Sequence, residues 1–151
     1  MAMTSFEVVK TAIHFQNPDR LPMRFDSLGI NDTHSVATNA IGTGDHAKRQ
    51  TYDEWHYLWV RSEMSNMGQV RGHPLGDWGA LKTYRWPDPD DPAYYQGMEG
   101  RFAGAEAKYV MTGIFMLLFE RMHSLRGMGN VLTELYTDPG RMAFLADRIV
   151  A

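Results

Sequence analysis

The 151-residue chain contains no cysteine. A disulfide framework, a thiolate zinc site, an iron–sulfur cluster and a thiol nucleophile are therefore excluded within these residues. The absence suits a reducing compartment, and a cytoplasmic setting is the expectation. A basic block is missing as well: 15 Lys and Arg are scattered among 18 Asp and Glu, for a net charge of −3. Proteins that bind nucleic acid usually present a basic stripe to the phosphates, so no such partner is expected. Long apolar runs are also lacking. The longest, Ile114 to Phe119, is far too short to cross a bilayer. The first residues carry Glu7 and Lys10 where a secretory signal would have its apolar core. No membrane partner is expected.

What is abundant is bulk. Hydrophobic residues make up 44% and charged residues 22%, the balance of a globular domain with a real core. Eleven Met join 4 Trp, 7 Tyr and 7 Phe. These large side chains fill a soft core or line a cavity for a flat or apolar ligand.

Local patterns set out the elements. Thr4 with Glu7 forms a capping box, and Phe6, Val9 and Ile13 recur at helical spacing, so residues 5–15 are expected to be helical. Leu21 to Phe25 reads as a short buried strand with Asp26 at its end. Residues 27–51 are rich in Gly, Asn, Thr, Ser and Asp and read as a surface excursion, with a helical turn near His34 to Ala40. The aromatic run Tyr52 to Val60, a polar turn over 62–67 and Gly68-Gln69-Val70 predict a β-hairpin.

Four of the seven prolines fall in H-P-L-G-D-W-G-A-L-K-T-Y-R-W-P-D-P-D-D-P, residues 73–92. Asp77 is placed to cap a short helix that turns Trp78 and Leu81 inward, and Pro87 and Pro89 prevent its continuation. Pro92 opens another short helix. Tyr109 to Thr112 reads as a second buried strand. Helices follow over Phe115 to Ser124, around Val131 to Leu135, and from Pro139 under an Asp138 cap, with Met142, Leu145 and Ile149 on one face. The last apolar face runs almost to Ala151, so the expectation is a chain that continues the architecture elsewhere.

Motif tests are mostly negative. His14, His34, His46, His56, His73 and His123 show no H-E-x-x-H spacing and no helical pairing, so no metal site is assigned to them. G-x-G at Gly42-Thr43-Gly44 and at Gly127-Met128-Gly129 does not extend to a phosphate-binding fingerprint. Asp53 and Glu54 adjoin Trp55, and a carboxylate held against an indole can become a general acid. On a strand they would face opposite sides, so one is expected to cap a turn and the other to be solvated. Asp26, at a strand end, is the preferred acid, since working residues in parallel α/β folds lie at strand C-termini.

Taken in order, N-P-D-R-L-P-M (17–23), Y-D-E-W (52–55), G-Q-V-R-G-H-P-L (68–75), D-W-G-A-L-K-T-Y-R-W-P-D-P (77–89), Y-V-M-T-G (109–113), F-E-R-M-H-S-L-R-G (119–127) and D-P-G-R-M-A-F-L-A-D (138–147) form a set. This set resembles the N-terminal part of the uroporphyrinogen decarboxylase-like superfamily, closest to its corrinoid-linked methyltransferase branch. The resemblance implies an α/β fold. Residues 1–151 would be the N-terminal portion of a (β/α)8 TIM barrel, incomplete as it stands, with a β-hairpin excursion over about 27–105. Residues 73–92 would return that excursion to the barrel wall.

The resemblance also implies chemistry. The arginine-rich R-Q-A-G-R of authentic decarboxylases is replaced here by R-F-D-S-L-G. Their aspartate after the second strand is replaced by Met111-Thr112-Gly113-Ile114. The parent enzyme is accordingly expected to be a corrinoid-dependent methyltransferase acting on a small methylated compound, with tetrapyrrole decarboxylation as the alternative. Zinc and a corrinoid protein would serve the parent, and its zinc ligands would lie outside these residues. The remainder of the barrel would be the first partner, and the chain alone is expected to be inactive. Asp26 as a polar contact, with Trp55 and Phe115 as apolar walls, are the candidate substrate-binding residues. A third reading is a non-catalytic, stand-alone module that binds through the aromatic hairpin.

Overall fold

A computed structural model describes residues 2–39, 49–63 and 68–151. Ala40, the G-x-G at 42–44, His46 and residues 64–67 of the expected hairpin turn lie outside the described residues. The chain is mixed α/β; the described residues form five α-helices and three small sheets and no closed barrel. It divides into two compact units, residues 1–39 with 95–113, and residues 40–94 with 114–151.

The first unit begins with α1, Ser5–Ile13. The Thr4 hydroxyl accepts from the Glu7 amide at 3.2 Å, and the Glu7 carboxylate accepts from the Thr4 amide at 2.8 Å. The capping box thus satisfies two donors that a helix start leaves free. The helix lays Val8 and Val9 inward and packs on β3, Thr33–Ser35, and β7, Tyr109–Met111. These two strands are parallel, with Thr33 opposite Tyr109 and Ser35 opposite Met111. Phe6 stacks on Tyr109 at 5.6 Å. Asp32 fixes the approach to β3. Its two carboxylate oxygens accept from the Arg20 guanidinium, both at 2.6 Å, and one also accepts from the Met23 amide.

Three expectations are corrected here. Leu21 to Phe25 is not a buried strand. Only Arg24–Phe25 (β1) has strand geometry, in a tiny hairpin with Ile30–Asn31 (β2), and Leu21 is 80% exposed. The turn between them, Asp26–Leu28, closes through Gly29 at φ 67°, a left-handed conformation that glycine adopts without a steric cost. The polar segment expected to form a helical turn near His34 is instead the strand that pairs with β7. The β7 strand is itself half-open, with Val110 and Met111 exposed.

In the second unit, β4 (Gln50–Tyr52), β5 (Leu58–Val60) and β6 (Gln69–Gly72) form an antiparallel meander. The predicted hairpin is therefore present as β5–β6, but the aromatic run is not one strand. It breaks at Asp53, whose carboxylate captures the Trp55 and Tyr57 amides that a continuous ladder would need. Behind the sheet stand α3 (Leu118–Arg126), α4 (Met128–Thr137) and α5 (Pro139–Val150). Gly127, at φ 92°, makes the break between α3 and α4, and Asp138 caps α5 ahead of Pro139. The core is Tyr57, Trp59, Leu75, Met122, Leu125, Val131, Met142 and Leu145. Each fully buried Leu or Met in it stabilises by about 1.5–3 kcal/mol.

The proline-rich stretch is clamped rather than loose. Leu75 is buried and its amide donates to the Leu125 carbonyl at 2.9 Å. Arg126 donates to the Leu75 and Gly76 carbonyls and pairs with Glu134, while the Trp78 indole N–H donates to Glu134 at 3.3 Å. Asp77 caps a 3-10 turn over Trp78–Lys82, as its position predicts, and Trp78 and Leu81 pack on the core. Prolines 74, 87, 89 and 92 cost this path no ladder hydrogen bonds, because it has none to make.

Candidate functional site

The three residues singled out by sequence fall in different places. Asp26 belongs to the first unit. It is exposed, accepts from the Asn31 amide group at 2.6 Å and from Arg24 at 3.3 Å, and these bonds, Asn31 first, lower its pKa. An exposed carboxylate held ionised in this way serves the small β1–β2 hairpin and is poorly suited to acid catalysis.

Trp55 and Phe115 both belong to the second unit and meet at one side chain that sequence reasoning missed, Arg121 on α3. Its guanidinium lies 4.5 Å from the Trp55 ring centre and 5.8 Å from that of Tyr57, and one Nη donates to the Phe115 carbonyl at 2.9 Å. The Phe115 ring is 60% exposed and sits 6.5 Å from Trp59. Trp55 stands edge-on to Trp86 at 6.4 Å, Tyr84 edge-on to Trp86 at 4.9 Å, and the Tyr84 hydroxyl donates to the Trp55 carbonyl at 2.9 Å. Perpendicular rings in contact suit the aromatic quadrupole and make stiff walls.

Two acids enter the cluster from the β4–β5 turn. Asp53 is buried and fully used: it accepts from the amides of Trp55 and Tyr57 and from the Trp59 indole N–H, at 3.0, 3.1 and 2.7 Å. This is the turn-capping role expected for one of the pair. Glu54, expected to be solvated once Asp53 takes the cap, is instead half-buried, because the two residues lie in a turn and not on a strand, so the alternation argument does not apply. Burial pushes its pKa above the ordinary carboxylate range. The Asp53 carboxylate adds to the rise; the backbone amide of Glu54 and the charge of Arg121 oppose it. Its Oε2 is buried without a hydrogen-bond partner.

Tyr57 is 0% exposed, and its hydroxyl too lacks a partner. Burial lifts its pKa far above the tyrosine range. Arg121 approaches and softens that effect without completing a hydrogen bond of good geometry. Burial does the same to Tyr84. Both phenols are thus neutral donors across the working pH range. His56 and Met116, next to Tyr57 and Phe115 in the chain, hold φ at 61° each, a conformation that costs a non-glycine residue on the order of 1 kcal/mol or more and that clusters at functional sites.

A groove of about 360 Å³ lies between Trp78, Leu81, Lys82, Arg141 and Phe144. Its arginine is already engaged by Asp138 at 3.3 Å and by the Trp78 face. Among the described residues, no group of three or more His, Asp or Glu comes together to hold a metal ion, and no helix is long and apolar enough to cross a membrane.

The geometry therefore defines a mixed α/β chain with a neutral phenol, an acid of raised pKa and an arginine set among perpendicular aromatic rings. Comparison with protein-family models, with curated proteins and with solved structures finds no match to this chain.

Proposed function

We propose that this chain is the N-terminal part of a uroporphyrinogen decarboxylase-like enzyme, and that the parent carries out corrinoid-dependent methyl transfer on a small methylated compound. The observation that carries the reading is the parallel pairing of Thr33–Ser35 with Tyr109–Met111, with a helix before the pair and helices after it. Parallel strands are ordinarily covered on both faces by βα units, and a (β/α)8 barrel is one of the architectures that do so. The apolar run from Ile114 to Phe119, nearly all exposed, supports the same reading, since further barrel wall would cover it.

In this reading Trp55 and Phe115 are apolar walls near the substrate, and Arg121 sets their spacing. The zinc that the resemblance implies does not fit the described residues: they bring no three donor side chains together, and cysteine is absent. No step is therefore assigned to a metal within this chain. The test is an assay of the complete parent polypeptide with a methylated substrate and free corrinoid, and separately with uroporphyrinogen. Methyl transfer is the expected result. Release of carbon dioxide from uroporphyrinogen would replace this reading with the decarboxylase, and inactivity in both would reject the family assignment of function.

A further inference from the structure

The groove of about 360 Å³ belongs wholly to the second unit and shares no side chain with the Arg121 cluster. Trp78 and Leu81 lie three apart on a 3-10 turn, and Arg141 and Phe144 lie three apart on α5, so each pair shares a face. Together with Lys82 these four line the groove. We propose that it binds a small carboxylic acid with an aromatic body, its rings held by Trp78, Leu81 and Phe144 and its carboxylate by Arg141 and Lys82.

Size, surface and charge select that ligand. The volume lies at the small end of the range for ligand pockets, about 300–1,000 Å³, with room for one or two rings and a short acid arm. Three of the five lining side chains are apolar, two of them aromatic; the other two are cations and none is an acid. Phe144 is 44% exposed, and Trp78 and Leu81 are half-buried, so each keeps apolar surface for a ligand. The Trp78 wall is held in place by the fold itself. Asp77 caps the turn, and the Trp78 indole N–H donates to Glu134, which Arg126 holds. A preformed wall loses little freedom on binding. Two carboxylates stand near Arg141. Glu134 is committed to Arg126 and Trp78. Asp138 meets Arg141 at Nε, 3.3 Å away, in an exposed pair that contributes little. The Nη edge of the guanidinium is the one that takes a second carboxylate through two parallel hydrogen bonds. Lys82, on its flexible stem, adds a second positive charge, and a cationic ligand would meet repulsion from both. The inference stands whatever reaction the parent performs.

The probes are naphthylacetate, its neutral isostere naphthylacetamide, and acetate, titrated into the 151-residue chain. Calorimetry reads affinity, and NMR reads the Trp78 indole N–H, identified as the signal lost in Trp78→Phe. Naphthylacetate is expected to bind saturably, to move that signal and to weaken as salt is raised. The amide, which lacks the charge, and acetate, which lacks the rings, should each bind about 10-fold more weakly or worse. Arg141→Gln should weaken naphthylacetate about 10-fold and leave the amide unchanged. Phe144→Ala should weaken both about 5-fold. Both positions are exposed, so these variants should melt close to the parent chain. Absence of saturable naphthylacetate binding, equal binding of acid and amide, or unchanged affinity in Arg141→Gln would overturn the site. So would saturable binding that leaves the Trp78 signal unmoved, which would place the ligand elsewhere.

Discussion

The Arg126 guanidinium and the Glu134 carboxylate pair across the Gly127 break, with side chains only 7% and 17% exposed. The same arginine donates to the carbonyls of Leu75 and Gly76 and lies 4.6 Å over the Trp78 ring. One cation thereby ties α3, α4 and the proline-rich connector together.

Removing that cation strands a buried carboxylate. Arg126→Ala is expected to cost about 3–5 kcal/mol, the range for breaking a buried pair from one side. Arg126→Met with Glu134→Leu should cost less than the single change, because no unpaired charge is left behind. Chemical denaturation of the three proteins checks this. A single variant within about 1 kcal/mol of the parent would show that the pair holds nothing.

Asp53 predicts a subtler loss. Its Oδ1 accepts the two backbone amides and its Oδ2 the Trp59 indole N–H. Asp53→Asn keeps one acceptor and turns an NH2 group toward a donor. The expected cost is about 1–3 kcal/mol, with a shift of tryptophan emission as Trp59 loses its partner. Unchanged stability and emission would refute the arrangement.

The two glutamates respond to pH with opposite signs. Glu134 is held below the ordinary carboxylate range, chiefly by its hydrogen bonds from Arg126. Its contribution is present above the unfolded value of about 4.3 and is lost as pH falls through the lower folded value. Glu54 is held above that range by burial. The folded state then binds its proton more tightly, and stability falls as pH rises from the unfolded to the folded value. Glu54→Gln should accordingly raise the melting temperature at neutral pH, and the gain should vanish below pH of about 4. A gain that is independent of pH would point to packing instead.

Gly72 faces Leu58 across β5 and β6, and a Cβ there would fall 2.6 Å from the Leu58 Cβ. Neither atom can rotate away, so the strands must part. Gly72→Ala is expected to lose about 1–3 kcal/mol, the usual range for overpacking, measurable by thermal unfolding.

Elements signalled by short-range chemistry were legible in the sequence. Thr4 with Glu7, Asp77 ahead of Trp78, and Asp138 with Pro139 announce their helices because a cap and its donors lie within three residues. The β5–β6 hairpin was legible from its aromatics. The strand at Thr33–Ser35 was not, because N-D-T-H-S is polar and its partner is Tyr109–Met111, far along the chain. A pairing that distant leaves no local period to read. The site was half legible. Trp55 and Phe115, expected as apolar walls from their places near a strand end or in the excursion, both contact Arg121. Arg121 and Tyr57 were missed, since an arginine in F-E-R-M-H and a tyrosine among aromatics carry no mark of which face they take. Glu54 was misjudged because a turn, not a strand, sets its direction.

The proposal that this chain supplies two neighbouring staves of a larger barrel is tested most directly by a crystal structure of the longer polypeptide that it implies. The account predicts Thr33–Ser35 and Tyr109–Met111 side by side within a closed eight-stranded parallel barrel, with Ile114 to Phe119 covered by its later units. The same two strands left as an isolated ladder, with Ile114 and Phe115 still facing solvent, would contradict it.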